Sequence, residues 1–198
     1  MPNWCNNSMV ACGPEQQIRA IAAKLKVKDG KLSDFMPQPV DENGELIGGV
    51  DWQYDTWGTK WGDCDTELID ENYSSPNTST ISLGYQTPWG PASALIKEIS
   101  RLHPDVTIDI EYEEPGMTFF GVEQHKGGET IFDQHHDYEF ETGVITLDDG
   151  WSANFDTDHD DPKQDPWVTL NDAIHSAIEH IWTTHSLSAP KDSGSLES

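Results

Sequence analysis

Carboxylates at every second position are the pattern in this chain best suited to chemistry with a partner. They recur as Asp63, Asp65 and Glu67; as Asp109, Glu111 and Glu113; as Asp137, Glu139 and Glu141; and as Asp156, Asp158 and Asp160. In an extended strand, residues two apart project to the same side, about 6.6 Å from one another. A row of this kind approximates the successive phosphates of one nucleic-acid strand. Ile108, Ile110, Tyr112, Tyr138 and Phe140 fill intervening positions, so the opposite side of such a strand is free to anchor in a core. The pattern makes Asp109, Glu111, Glu113, Asp137, Glu139, Glu141, Asp156, Asp158 and Asp160 the candidate partner-binding residues.

Aromatic residues form a second candidate. Trp52, Trp57, Trp61 and Trp89, with Lys60 among them, read as an aromatic cleft able to stack on a base or another flat ligand. Lys60 is placed to clamp one phosphate, and Trp57, Lys60, Trp61 and Trp89 are the predicted lining of that cleft. The plainer reading of the same residues is an aromatic cluster covering an open sheet face.

Metal and catalytic signatures fail at named positions. Asp156-Thr157-Asp158-His159-Asp160-Asp161 opens like a calcium loop, but Asp161 stands where the sharp turn needs Gly, and Trp167 where a bidentate Glu is needed. His135 and His136, adjacent on a strand, point to opposite faces and do not chelate together. Cys5, Cys12 and Cys64 include no Cys-x-x-Cys pair. There is no phosphate loop, dinucleotide fingerprint, nucleophile elbow or zinc-protease motif. The expectation is a binding protein rather than an enzyme, with no cofactor and no metal.

Charge restricts the partner. Thirty-six Asp and Glu against 11 Lys and Arg leave a net charge of -25, a field that repels free nucleic acid and anionic membranes and attracts cations. The excess is uneven: Asp105 to Asp172 hold 19 acidic residues and two basic ones, so the later strands carry it. A basic protein or nucleoprotein complex is therefore the expected partner. The bland alternative is that the carboxylates only solvate the surface, as in a halophilic adaptation. A mean hydropathy of -0.63 is polar, yet eight Trp, six Phe and five Tyr can still build a core. The chain has no apolar run of about 20 residues and begins with no basic and apolar leader, so it is expected in the cytoplasm.

The elements that must position these residues follow from periodicity. Asn7 to Cys12 reads as a strand ended by Gly13-Pro14. Ile18, Ile21, Ala22 and Leu25 recur at helical spacing. One or two helical turns are expected from Trp52 to Trp57, then strands at Asp63–Ile69 and Thr80–Gln86. Ala94, Leu95, Ile99 and Leu102 stripe a second full helix, and strands follow at Val106–Tyr112 and Met117–Gln124. The predicted order, β-α-β-β-α-β-β, is a split β-α-β plan with an added hairpin partner. Beyond it, Tyr138–Thr142 and Val144–Leu147 read as a hairpin about Gly143, with a strand near Trp151–Phe155. Leu170, Ile174, Ala177, Ile178 and Ile181 mark a terminal helix, and the chain from Ser186 reads as a disordered tail.

Several short motifs in this order resemble the YubB-type ferredoxin-like domain family of bacteriophage and plasmid proteins. They are Met1-Pro2-Asn3-Trp4-Cys5-Asn6-Asn7, Phe35-Met36-Pro37, Trp57-Gly58-Thr59-Lys60-Trp61-Gly62, Thr87-Pro88-Trp89-Gly90-Pro91 and Tyr112-Glu113-Glu114-Pro115-Gly116-Met117. The resemblance spans roughly residues 1–125. It implies a ferredoxin-like fold without an iron–sulfur cluster, brings no catalytic residues, and implies the host cell's cytoplasm for a phage-encoded chain.

The sequence thus predicts an α+β protein. A ferredoxin-like split β-α-β sandwich covers 1–125, an acidic β-rich hairpin and helix extension covers 126–185, and a disordered tail covers 186–198. Its expected action is protein–protein binding, in the sharpest form as an acidic DNA mimic that inhibits a host defence nuclease or DNA-binding complex. A small-ligand, nucleotide-like binding protein or enzyme using the tryptophan cleft is the alternative.

Overall fold

A period of two runs through the first strand: Cys5, Asn7, Met9 and Ala11 are buried while Trp4, Asn6, Ser8 and Val10 face out. The computed structural model describes residues 2–157 and 166–188. That strand, β1 (Trp4–Gly13), leads through Pro14 into α1 (Glu15–Leu25). A 3-10 turn (Leu32–Phe35) and α2 (Gly49–Trp57) precede the hairpin of β2 (Cys64–Asn72) and β3 (Ser79–Pro88). Then come α3 (Ser93–Leu102), β4 (Thr107–Glu114), β5 (Phe119–Lys126) and β6 (Glu129–Asp137).

Six strands form one antiparallel sheet in the order β2-β3-β1-β4-β5-β6. Register explains the core. Met9 lies opposite Leu83 and Ile110, and Ala11 opposite Ile81 and Ile108, so one face of three strands is continuously apolar. Ile18 and Ile21 of α1 and Leu95, Ile96 and Ile99 of α3 are buried with them. Both helices therefore cover the same face, each laying down its i, i+3, i+4 stripe.

The split β-α-β plan holds, with differences that have local causes. β6 was expected in the extension after residue 125, but it pairs along its length with β5 as the sheet's edge strand. Compactness accordingly divides the chain into Met1–Asp137 and Tyr138–Ser198. In the second unit, residues expected to be a strand form instead a 3-10 turn (Phe140–Thr142) ended by Gly143 at φ 64°. The hairpin forms one turn later, between β7 (Val144–Thr146) and β8 (Ser152–Asn154). There Asp149 accepts the backbone N–H of Trp151 at 2.9 Å, and Gly150 takes φ 88°. α4 (Pro166–Ser188) packs against this hairpin, with Leu170, Ile174, Ala177, Ile178 and Ile181 buried as the helical spacing predicts. Among the described residues no helix is long and apolar enough to cross a membrane. Of the tail read as disordered, residues 189–198 lie outside the described ones.

Candidate functional site

Of the four predicted carboxylate rows, the one on β4 takes the expected geometry. Ile108, Ile110, Tyr112 and Glu114 are buried, whereas Asp109, Glu111 and Glu113 are half-exposed on the face opposite the helices. On that open face Glu113 stands beside Asn6, Glu111 beside Ser8 and Asp109 beside Val10 of β1. Asn6 donates to Glu113 Oε1 at 3.3 Å, and Gln124 of β5 donates to Asp109 Oδ1 at 2.7 Å. Neutral amides thus frame the row.

Two of the other rows do not form as predicted. Asp63 is wholly buried, where it accepts the backbone N–H groups of Leu32 and Ser33, both at 2.8 Å, and the hydroxyl of Thr66. It fastens the 3-10 turn to the start of β2 and offers nothing to a partner. Next to it Asp65 has φ 51°, and a register shift between Cys64 and Glu67 breaks the alternation. Asp137 ends β6, while Glu139 precedes and Glu141 lies within the 3-10 turn, so these three cannot share one side of a strand. Asp156 is described; Asp158 and Asp160 lie outside the described residues.

The tryptophans divide into two pairs. Trp57 belongs to the core, its indole N–H donating to the Met36 carbonyl at 2.8 Å and its ring edge-on to Trp52 at 5.1 Å. It is thereby removed from the predicted cleft. Trp61 and Trp89 remain together at the surface, ring centroids 5.9 Å apart and tilted by 40°. Lys60 Nζ lies 4.4 Å from the Trp61 ring centroid and 5.8 Å from that of Trp89. Both residues adopt left-handed backbone, φ 66° at Trp61 and 63° at Trp89. For a bulky side chain this costs roughly 1–3 kcal/mol each and persists only where the surroundings impose it.

Those surroundings are visible. The Trp61 N–H donates to Gln53 Oε1 at 3.0 Å, and Gln53 in turn donates to Gln38 Oε1 at 2.9 Å. The Trp89 N–H donates to the Asn3 carbonyl at 2.9 Å. Thr59, also buried, ties the two turns together by donating to the Pro88 carbonyl at 2.7 Å. Thr87 closes the second turn by donating to the Gly90 carbonyl at 2.7 Å. Five separated segments of sequence therefore meet: the start of β1, the Met36 region, the Trp57–Gly62 turn, the end of β3 and, through Gly116 beside Asn3, the end of β4.

A polar band that sequence reasoning missed lies on the helix-covered face of the sheet. Glu123 and His125 of β5, both buried, form a pair with Nε2 2.8 Å from Oε2. Ser93, the first residue of α3, donates to Glu123 Oε1 at 2.6 Å, and Thr130 Oγ1 lies 3.2 Å from His125 Nδ1. Tyr112 reaches His135 of β6, with Oη 3.2 Å from Nδ1. It does so by lying across Gly121, where an added Cβ would fall 2.5 Å from Tyr112 Cζ and 2.5 Å from the Gln134 carbonyl. Gly121→Ala should therefore cost about 2 kcal/mol, read as a lowered denaturation midpoint in urea. A wild-type midpoint would show that the strands have room to part. The available signal was periodicity: Glu123 and His125 share the side of β5 that carries Phe119 and Gly121.

Burial, not activation, governs the acids in this band. Burial pushes the Tyr85 and Tyr112 phenols up, with the Glu123 carboxylate adding to both. Burial and Glu123 likewise raise Asp133. The Cys5 thiol is pushed up to about 12, by burial first and the Glu114 carboxylate second. A thiol in that state is no nucleophile near neutrality. Iodoacetamide at about pH 8 should leave Cys5 unmodified in the native protein; peptide mapping that found it alkylated as fast as Cys12 would contradict this burial. Among the described residues no group of three or more His, Cys, Asp or Glu side chains is arranged to hold a metal ion.

The sequence model of a family described as "Ferredoxin-like domain in Api92-like protein" matches residues 56–159, just over half of the chain. The matched segment holds the Trp61 and Trp89 turns, the β4 row and the β5 pair, and it runs past Asp137 into the second unit. The predicted ferredoxin-like fold agrees with this match. Among solved structures, protein api92 from Yersinia pseudotuberculosis aligns at 19% identity, with a TM-score of 0.36, over 48% of this chain and 33% of that one. The aligned part thus spans about a third of that protein's length. No curated protein matches the chain.

Proposed function

This chain belongs to the family of ferredoxin-like domains in Api92-like proteins, and from that premise we propose that it acts by binding a cationic protein through the acidic row on the open face of its sheet. The observation that supports this reading is the β4 row: three carboxylates on one side of a strand whose other side is anchored in the core. Anchoring fixes their spacing near 6.6 Å before any partner arrives, so little order has to be gained on binding. The overall charge of -25 steers cationic partners toward the protein and keeps free nucleic acid away.

In its sharper form the proposal makes the row a stand-in for phosphates. The partner is then a basic host protein or nucleoprotein complex, and occupation of its nucleic-acid groove inhibits a defence nuclease or another DNA-binding complex. The resemblance to phage and plasmid proteins supplies that target. The row is short, so it mimics a few phosphates and not a long duplex.

The test is capture of basic proteins by the full chain at low and high salt, beside a variant carrying Asp109→Asn, Glu111→Gln and Glu113→Gln. Charge-driven binding should weaken about tenfold between roughly 50 and 300 mM salt. The triple variant should lose the same partners while keeping its denaturation midpoint. Equal capture by variant and wild type would mean that the row only solvates the sheet.

A further inference from the structure

We infer that Trp61, Trp89 and Lys60 form a binding site for a planar aromatic ligand that carries a phosphate, the chemistry of a nucleotide. The site is independent of the acidic row and uses the opposite electrostatic logic. In a chain with only 11 basic residues, Lys60 pairs with no carboxylate among the described residues. Its ammonium is held instead over two indole rings, 4.4 and 5.8 Å from their centroids. That arrangement puts one positive charge beside two flat π surfaces, the pair of features that a base and its phosphate require.

The backbone argues that the arrangement is built and not incidental. Two tryptophans at φ 66° and 63°, in turns far apart in sequence, face each other at 5.9 Å. Either turn would be relaxed by glycine, which adopts positive φ freely. The chain instead spends strain to present an indole at each, and each is braced from behind, by Gln53 and Gln38 in one case and by Asn3 in the other. Trp61 keeps 45% of its surface exposed, so its ring is presented to solvent. Rings tilted by 40° make an open wedge, so a base stacks on the exposed side of Trp61 while its phosphate takes the Lys60 ammonium. Low-dielectric contact with the rings strengthens that ion pair, and screening over about 8 Å at physiological salt limits the opposing field of distant carboxylates.

The experiment is a tryptophan-fluorescence titration of the full chain with adenosine 5′-monophosphate, adenosine, inorganic phosphate and a short single-stranded oligodeoxynucleotide. The monophosphate should quench saturably and bind roughly tenfold more tightly than adenosine, with inorganic phosphate alone producing no quench. Lys60→Met should reduce the monophosphate to the affinity of adenosine. Trp61→Gly removes the ring at a position whose backbone suits glycine, so it should keep the wild-type denaturation curve and lose binding by about tenfold or more. Tighter binding of the oligonucleotide would identify the source of the base and phosphate as a strand, and tighter binding of the monophosphate as a free nucleotide. Absence of saturable quenching by both, or wild-type affinity in Trp61→Gly and Lys60→Met, overturns the assignment.

Discussion

Asp63→Ala should destabilise the protein by about 4 kcal/mol, seen as a lower urea midpoint with an unchanged slope. Its carboxylate is completely buried and receives two backbone N–H groups, from Leu32 and Ser33, together with the Thr66 hydroxyl. Alanine leaves those buried donors with nothing to bond. Each orphaned donor costs about 1–3 kcal/mol, and bonds to a charged acceptor lie at the strong end. Asp63→Asn keeps one acceptor oxygen but turns an amide group toward a donor, so its loss should be about half as large. The effect should also spread, because the 3-10 turn held by Asp63 carries Leu32 and Phe35 into the core. A loss under about 1 kcal/mol would mean that solvent reaches the turn and replaces the carboxylate.

Glu123→Ala should cost about 3 kcal/mol, because it breaks a buried pair by removing one partner. His125, fully buried, loses its neighbour at 2.8 Å, and the half-buried Ser93 loses its acceptor at 2.6 Å. Replacing both members is different in kind. Glu123→Met with His125→Leu exchanges the polar pair for apolar volume, and such exchanges are often neutral or stabilising. The double variant should therefore be more stable than Glu123→Ala alone, although two side chains have changed. Thermal or urea denaturation of the two variants and wild type decides it. A double variant less stable than the single one would show that Thr130 and Ser93 depend on the pair for their own positions.

Where periodicity was strong, prediction and structure agree. The alternation over Val106–Tyr112 became β4 with its carboxylates outward, and the apolar stripes of α1 and α4 are buried as read. In α3 only Leu95 and Ile99 of the predicted stripe are buried; Leu102 is exposed, Ala94 is half-buried, and Ile96 joins the core instead. The errors share a cause. Asp63, Asp65 and Glu67 alternate in sequence just as Asp109, Glu111 and Glu113 do, yet a bulge breaks their strand and a neighbouring turn draws Asp63 inside. Gly143 signalled a chain reversal and received one, but as the end of a 3-10 turn after Phe140, so Glu139 and Glu141 left the row. Trp57 and Trp61 stand four residues apart and part company because α2 ends between them, one ring falling inward and the other outward.

By itself, then, the sequence determined what depends on local order: the charge, the helical and strand periods, and the side of β4 on which acids stand. These follow from backbone geometry that repeats every two or 3.6 residues, whatever the surroundings. Tertiary structure alone decided which carboxylate serves the fold and which stands on the open face of the sheet. It also decided that Trp61 and Trp89 meet, and that Glu123 and His125 pair beneath α3. Those outcomes depend on register between strands distant in sequence and on hydrogen bonds such as Leu32 to Asp63 or Asn3 to Trp89. No local period encodes a contact of that kind, because the residue that completes it lies on another element.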